Sequence, residues 1–110
     1  MQAIKHSFIV VQEFKNKAKD FLNKIFSLVE KNYEDFDVDF EEEVLRIECE
    51  NLIFILSIHE PTKQMWLSSP ISGAHHFELK SSNELELWIN TRDSSINLFD
   101  LIIKELDSLL

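Results

Sequence analysis

Near the start of the chain, apolar residues recur at steps of three and four: Val11, Phe14, Ala18, Phe21, Leu22, Ile25, Phe26 and Leu28 or Val29. That period puts one apolar stripe on a helix, with Lys, Asn and Asp opposite. It predicts a helix from about residue 8 or 12 to about residue 32. The period then shortens to two. "DVDFE" (37–41) sends Asp37, Asp39 and Glu41 one way and Val38 and Phe40 the other, as a half-buried strand does. Glu42 and Glu43 mark a turn. "VLRIEC" (44–49) places Leu45, Ile47 and Cys49 on one side, and a tight connection begins at Asn51. "LIFILSI" (52–58) is almost continuously apolar and predicts a central strand. A turn through Pro61 follows. The short strands "QMWLS" (64–68), "HHFEL" (75–79) and "ELELWIN" (84–90) come next, with turns at 69–73 and 81–83. Helical spacing returns at Leu98, Phe99, Ile102, Ile103, Leu106 and Leu109, with Ser94 and Ser95 as candidate N-caps.

The predicted order is helix, five or six strands in meander steps, helix. Connections this short make the sheet antiparallel. Each helix has one stripe to bury, so the two cover one sheet face. The expected fold is an α+β two-layer sandwich whose other sheet face is open to solvent or to a partner.

Length and composition narrow this further. The 110 residues suit one domain, 1–110. One Gly and two Pro leave little room for irregular chain, and nine Phe supply a single filled core. The one Cys, Cys49, excludes an internal disulfide and fits a reducing compartment; its spacing reads as a small buried strand residue. No apolar run approaches the roughly 20 residues of a membrane span, and "SFIVV" (7–11) is too short for a signal-peptide core. The chain is expected to be cytosolic, already processed, or addressed by an unusual signal.

The net charge is −9, which argues against nucleic-acid binding through a basic face. Its distribution is uneven. Lys5, Lys15, Lys17, Lys19, Lys24 and Lys31 face only Glu13, Asp20 and Glu30 in residues 1–31. Eight of the 20 acids fall between residues 30 and 43: Glu30, Glu34, Asp35, Asp37, Asp39, Glu41, Glu42 and Glu43. The helix end runs into the first strand there, so these carboxylates form a ridge and not a cage. Asp37, Asp39 and Glu41 project on one face of the strand, roughly 7 Å apart. A hard cation such as Mg²⁺, Ca²⁺, Mn²⁺ or iron would relieve their repulsion, with weak affinity and little selectivity. The plainer reading is a solvated face that confers solubility.

Other chemistry is sparse. His75 and His76 are adjacent on a strand and point to opposite faces, so they do not share a metal. His59 and His6 have no evident ligand partner. There is no Gly-rich phosphate loop, Cys pair or nucleophile motif, so a conventional enzyme pocket is not indicated. Trp66 stands out. Met65 and Leu67 make a core pair, so Gln64 and Trp66 should lie on the open face. There Trp66 either caps the sheet or anchors an interface, for which Trp is among the commonest residues. Trp88 has no evident place.

The stretch "KQMWLSSPISG" (63–73) resembles the signature strand and turn of the frataxins. The resemblance spans nearly the whole chain: an amphipathic helix, an acidic patch into the first strand, the Gln-x-Trp-Leu-Ser-Ser-Pro strand, a His-Phe-Glu-Leu strand and a closing helix from "NLFDLI" (97–102). It implies two roughly parallel helices on one face of a five- to seven-stranded antiparallel sheet. It also implies an iron-binding accessory protein of iron–sulfur cluster assembly, acting on a cysteine desulfurase–scaffold complex and monomeric without iron. By position, weak binding of Fe²⁺ and Fe³⁺ falls to Glu30, Glu34, Asp35, Asp37, Asp39 and Glu41. Partner contact falls to Gln64, Trp66, Ser57 and His76. A weak ferroxidase activity is a family property, and a metal-free acidic interaction module is the other alternative. The setting implied is the mitochondrial matrix or a related organelle, or else bacterial cytoplasm. Three departures matter. Lys15, Lys17, Lys19 and Lys24 replace the family's acidic helix flank, which argues against high-capacity iron storage. Ser57 stands where an Asn is usual, and His76 where a basic residue is usual.

Overall fold

The computed structural model describes residues 2–110, with side chains from Phe8 onward. Helix α1 (Gln2–Asn32) precedes six strands, β1 (Asp37–Glu41), β2 (Val44–Cys49), β3 (Leu52–His59), β4 (Gln64–Ser69), β5 (Gly73–Ser82) and β6 (Leu85–Asn90), and helix α2 (Leu98–Asp107) closes the chain. The strands form one antiparallel sheet in sequence order. The expected two-layer sandwich is present. Phe14, Ala18, Leu22, Ile25 and Val29 from α1, and Leu98, Ile102 and Leu106 from α2, pack on Leu45, Ile47, Phe54, Leu56, Met65, Leu67 and Phe77.

Several strand ends shift by one or two residues from the pattern reading, and three boundaries are informative. Helix α1 starts at Gln2, earlier than the apolar stripe suggests. No Gly or Pro interrupts this segment, so the helix propagates although Phe8 and Ile9 remain exposed. Strand β5 runs through Ser82, and the turn falls on Asn83 and Glu84, both at positive φ (48° and 67°), as a two-residue type I′ hairpin requires. The N-cap of α2 is Asn97 and not Ser94 or Ser95. Asn97 Oδ1 accepts from the Asp100 backbone at 2.9 Å while its Nδ2 donates to the Asp100 carboxylate at 2.9 Å. Ser95 is engaged instead with Asp93, its backbone N–H and hydroxyl both reaching one carboxylate oxygen.

Tyr33 fastens the end of α1 to the end of α2: its hydroxyl donates to Asp107 at 2.6 Å, and its ring stacks on Phe36. Burial, then the Asp107 carboxylate, pushes its hydroxyl up to about 12. Unfolded Tyr ionises near 10, so the stability held by this group is complete below that pH and is lost as pH rises through 12. Tyr33 is the only tyrosine, so tyrosinate absorbance in the near ultraviolet reads it alone. The folded protein should titrate near pH 12, with unfolding in the same range. A midpoint near 10 in folded protein would show that the Asp107 contact does not hold the proton.

Candidate functional site

Two groups of side chains share the open sheet face. The first is the acidic edge. After α1 the chain turns through buried Tyr33 and Phe36, with Phe36 N–H donating to the Tyr33 carbonyl at 3.0 Å. These two anchors push Glu34 and Asp35, between them, out to solvent. Strand β1 then sends Val38 and Phe40 toward the core and Asp37, Asp39 and Glu41 outward. All six candidate carboxylates, Glu30, Glu34, Asp35, Asp37, Asp39 and Glu41, are exposed. Among the described residues none pairs with a cation, and no three acids, His or Cys gather closely enough to hold a metal ion. The edge offers hard oxygen donors in a row. That arrangement fits a loosely held hard cation and not an enclosed one.

The helix lysines do not neutralise this edge. Lys15 reaches Glu43 at 3.0 Å and Glu60 at 3.4 Å, and the Glu43 contact raises its ammonium. Lys17 bonds Glu86 on β6, which raises the lysine and lowers the carboxylate. Lys24 sits over the Phe99 ring. Their charge is directed to the β1–β2 turn, the segment after β3, and β6.

The second group centres on Trp66. Its indole is half-buried, held between two imidazoles. The His59 ring lies 3.7 Å away at 14°, and the His76 ring 4.2 Å away at 6°. The indole N–H donates to Gln64 Oε1 at 2.9 Å, and Gln64 Nε2 reaches Glu78 at 3.4 Å. In register Trp66 lies between Ser57 and His76. Beside it a dent of about 160 Å³ is bordered by Ile55, Ser57, Ser68, Ala74 and His76. Ile55 and Val44 are exposed on the same face. The apolar run of β3 therefore reflects an apolar outer face as well as a core-facing one.

Thus Gln64, Trp66, Ser57 and His76 come together, and Asp37, Asp39 and Glu41 share their face. Glu41, Val44, Ser57, Trp66 and His76 form one cross-strand row, with about 14 Å between Glu41 and Trp66 by strand spacing. Glu30, Glu34 and Asp35 lie on the helix end and its turn, continuing the charge around the edge. His59 joins this face as well, and its even spacing from Ser57 is the sequence signal for it. His75 points to the helix side, where it meets Ser72 Oγ at 2.8 Å and Asn90 Nδ2 at 3.2 Å. The His6 side chain lies outside the described residues.

The two serines of the motif divide the same way. Ser68 faces out and Ser69 is buried. Ser69 Oγ donates to Glu105 of α2 at 2.6 Å and accepts from the Ile71 and Ser72 backbone at 3.0 and 3.1 Å. This one hydroxyl ties the turn after the Trp strand to α2, and Gly73 completes the turn at φ 89°, where a side chain would strain the backbone. Cys49 is half-buried. Burial, then Glu50 and Asp35, raises its thiol, the opposite of what a nucleophile needs.

Comparison with known proteins agrees with this architecture. A family model described as a frataxin-like domain matches residues 7–110. Mitochondrial frataxin of Arabidopsis thaliana is 30% identical over 110 residues, covering 94% of this chain and 57% of that protein. The mitochondrial frataxin homologue of Schizosaccharomyces pombe is 34% identical over 77 residues, covering 67% and 48%. The chain thus spans about half the length of these relatives. Among solved structures, frataxin from Psychromonas ingrahamii superposes with a TM-score of 0.74 at 24% identity, covering 87% of each chain. Trimeric Saccharomyces cerevisiae frataxin, described as complexed with ferrous, superposes with a TM-score of 0.69 at 24% identity, covering 84% of this chain and 83% of its own. The two structures share the fold, and the family model covers nearly the whole sequence: this chain belongs to the frataxin family.

Proposed function

We propose that this chain regulates iron–sulfur cluster assembly by docking its open sheet face on a cysteine desulfurase–scaffold complex. The observation that carries the reading is the sharing of one face by unpaired carboxylates and a positioned Trp. The acidic edge steers the protein toward a basic surface from a distance. Trp66, with Ile55 and Val44 around it, supplies the desolvated contact. Binding alters the rate of the partner, and this chain performs no covalent step. Iron is cargo or modulator. The yeast relative's ferrous complex and the row of hard donors support weak iron binding at Glu30, Glu34, Asp35, Asp37, Asp39 and Glu41. Carboxylates strung along an edge favour this role over a ferroxidase centre, which gathers ligands around paired metals. The relatives' mitochondrial names support a mitochondrion or related organelle, and the Psychromonas neighbour makes a bacterial cytoplasm the other setting.

The test is the initial rate of cluster formation by the matching desulfurase and scaffold in ferrous iron, with and without this protein. A changed rate that vanishes with Trp66→Ala supports the reading; an unchanged rate with active partners refutes it. The steering has its own check. Asp37→Asn with Asp39→Asn should weaken iron binding and flatten the salt dependence of partner association, because fewer long-range charges are screened. An unaltered salt slope would remove steering by this edge.

A further inference from the structure

We propose that His59 and His76 are positioning residues for Trp66 and make its presentation proton-responsive, so that acidification weakens docking through this face. The inference rests on the docking role assigned above. Imidazole changes charge between about pH 5 and pH 8, and an aromatic face attracts a cation. Here both faces of one indole carry an imidazole, at 3.7 and 4.2 Å and nearly coplanar. Protonation on both sides grips the indole from opposite faces while the two imidazoliums repel each other through it. It also adds positive charge to a surface that attracts a basic partner.

Among the described residues, hydrogen bonds leave at least one nitrogen of each ring without a partner. His59 Nδ1 meets Thr62 Oγ at 2.7 Å, and Thr62 Oγ lies 3.5 Å from the His59 carbonyl. With Thr62 donating to that carbonyl, Nδ1 donates to Thr62, and Nε2 can gain a proton without breaking either bond. His76 is exposed, with no hydrogen-bond partner for its ring among the described residues. His75 contrasts with both. Asn90 Oδ1 accepts from the Arg92 and Asp93 backbone, which turns Asn90 Nδ2 toward His75 Nδ1 and makes that nitrogen an acceptor.

Charged groups surround the array, and after β6 Arg92 and Asp93 border the same cavity as His76. Glu78 on β5 holds Gln64 and is itself met by Lys80. Glu60 and Lys63 flank His59 in the turn, with Glu60 paired to Lys15. On β2, Arg46 and Glu48 pair with each other. Glu41 lies at the β1 end of the same row. The helices cover the other side.

The experiment uses the whole chain labelled with 5-fluorotryptophan. Its two Trp give two ¹⁹F resonances, assigned with Trp66→Phe, and the buried Trp88 serves as the internal reference. Between about pH 8 and about pH 5.5 the Trp66 resonance should move and that of Trp88 should not. His59→Gln with His76→Gln should abolish the movement. Affinity for the desulfurase–scaffold complex should fall over the same range by about threefold more in the wild type than in the double variant, the scale of an exposed charge interaction. Comparing the two proteins cancels titration of the partner. A Trp66 resonance that does not move, or moves equally in the double variant, overturns the inference. Equal pH dependence of binding in both proteins overturns its docking half. If the resonance titrates but no binding occurs at any pH, the docking role of the face fails and the proton response of the array stands.

Discussion

Trp88→Ala will destabilise the fold by about 3–5 kcal/mol, the range for truncating a buried aromatic. Trp88 is 4% exposed and stands edge-on to two rings of α1, Phe14 at 5.9 Å and Phe21 at 6.3 Å. Edge-to-face pairs contribute beyond the area they bury. Removing the indole therefore opens a cavity and strips two aromatic contacts at once. It loosens α1 from β6, at the far edge of the sheet from the acidic strand. Against the 5–15 kcal/mol typical of a domain, this is a large share. Urea unfolding should show a midpoint well below that of the wild type with an unchanged slope. A loss within about 0.5 kcal/mol, the usual range for surface changes, would mean that Trp88 does not wedge helix to sheet. The fraction that remains folded should still dock as the wild type does, because the Trp66 array lies on the opposite sheet face.

Trp66→Ala should do the reverse. Half-buried on the open face, it carries little of the core, and its loss should cost the fold about 1 kcal/mol or less. Partner affinity should fall by about 2 kcal/mol, roughly thirtyfold, the scale of an interface hot spot. Iron binding at the edge, about 14 Å away, should be unchanged. Calorimetric titration against the desulfurase–scaffold complex reads the first quantity and iron titration the second. Unchanged affinity in a folded variant would reduce Trp66 to a cap on the sheet. Together the two variants separate the two tryptophans of the chain into one that builds and one that touches.

Periodicity was enough for most of the architecture. A three-and-four stripe from Phe14 to Val29 can bury only as a helix, and strict alternation in "DVDFE" can expose Asp37, Asp39 and Glu41 only as a strand. Alternation also put Trp66 opposite Met65 and Leu67, and so on the open face. These features are local, because side-chain direction follows from backbone geometry within a few residues. What alternation could not supply was which strands lie side by side and how rings from different strands meet. The start of α1 at Gln2 lies outside the pattern for a related reason: the stripe marks where a helix is buried, not where it begins. The cap of α2 is not legible locally, because Ser94, Ser95 and Asn97 all have capping side chains and only the turn at Asp93 decides between them.

By itself, then, the sequence determined the two-layer fold, the acidic edge and the outward direction of Trp66, all set by short-range spacing and charge. The tertiary structure alone decided that His59 and His76 close on the two faces of Trp66, that Ser69 is bonded to Glu105, and that Trp88 wedges against Phe14 and Phe21. Each of those contacts joins residues brought together by strand register or helix docking, and register is a property of the whole sheet, which no single segment encodes.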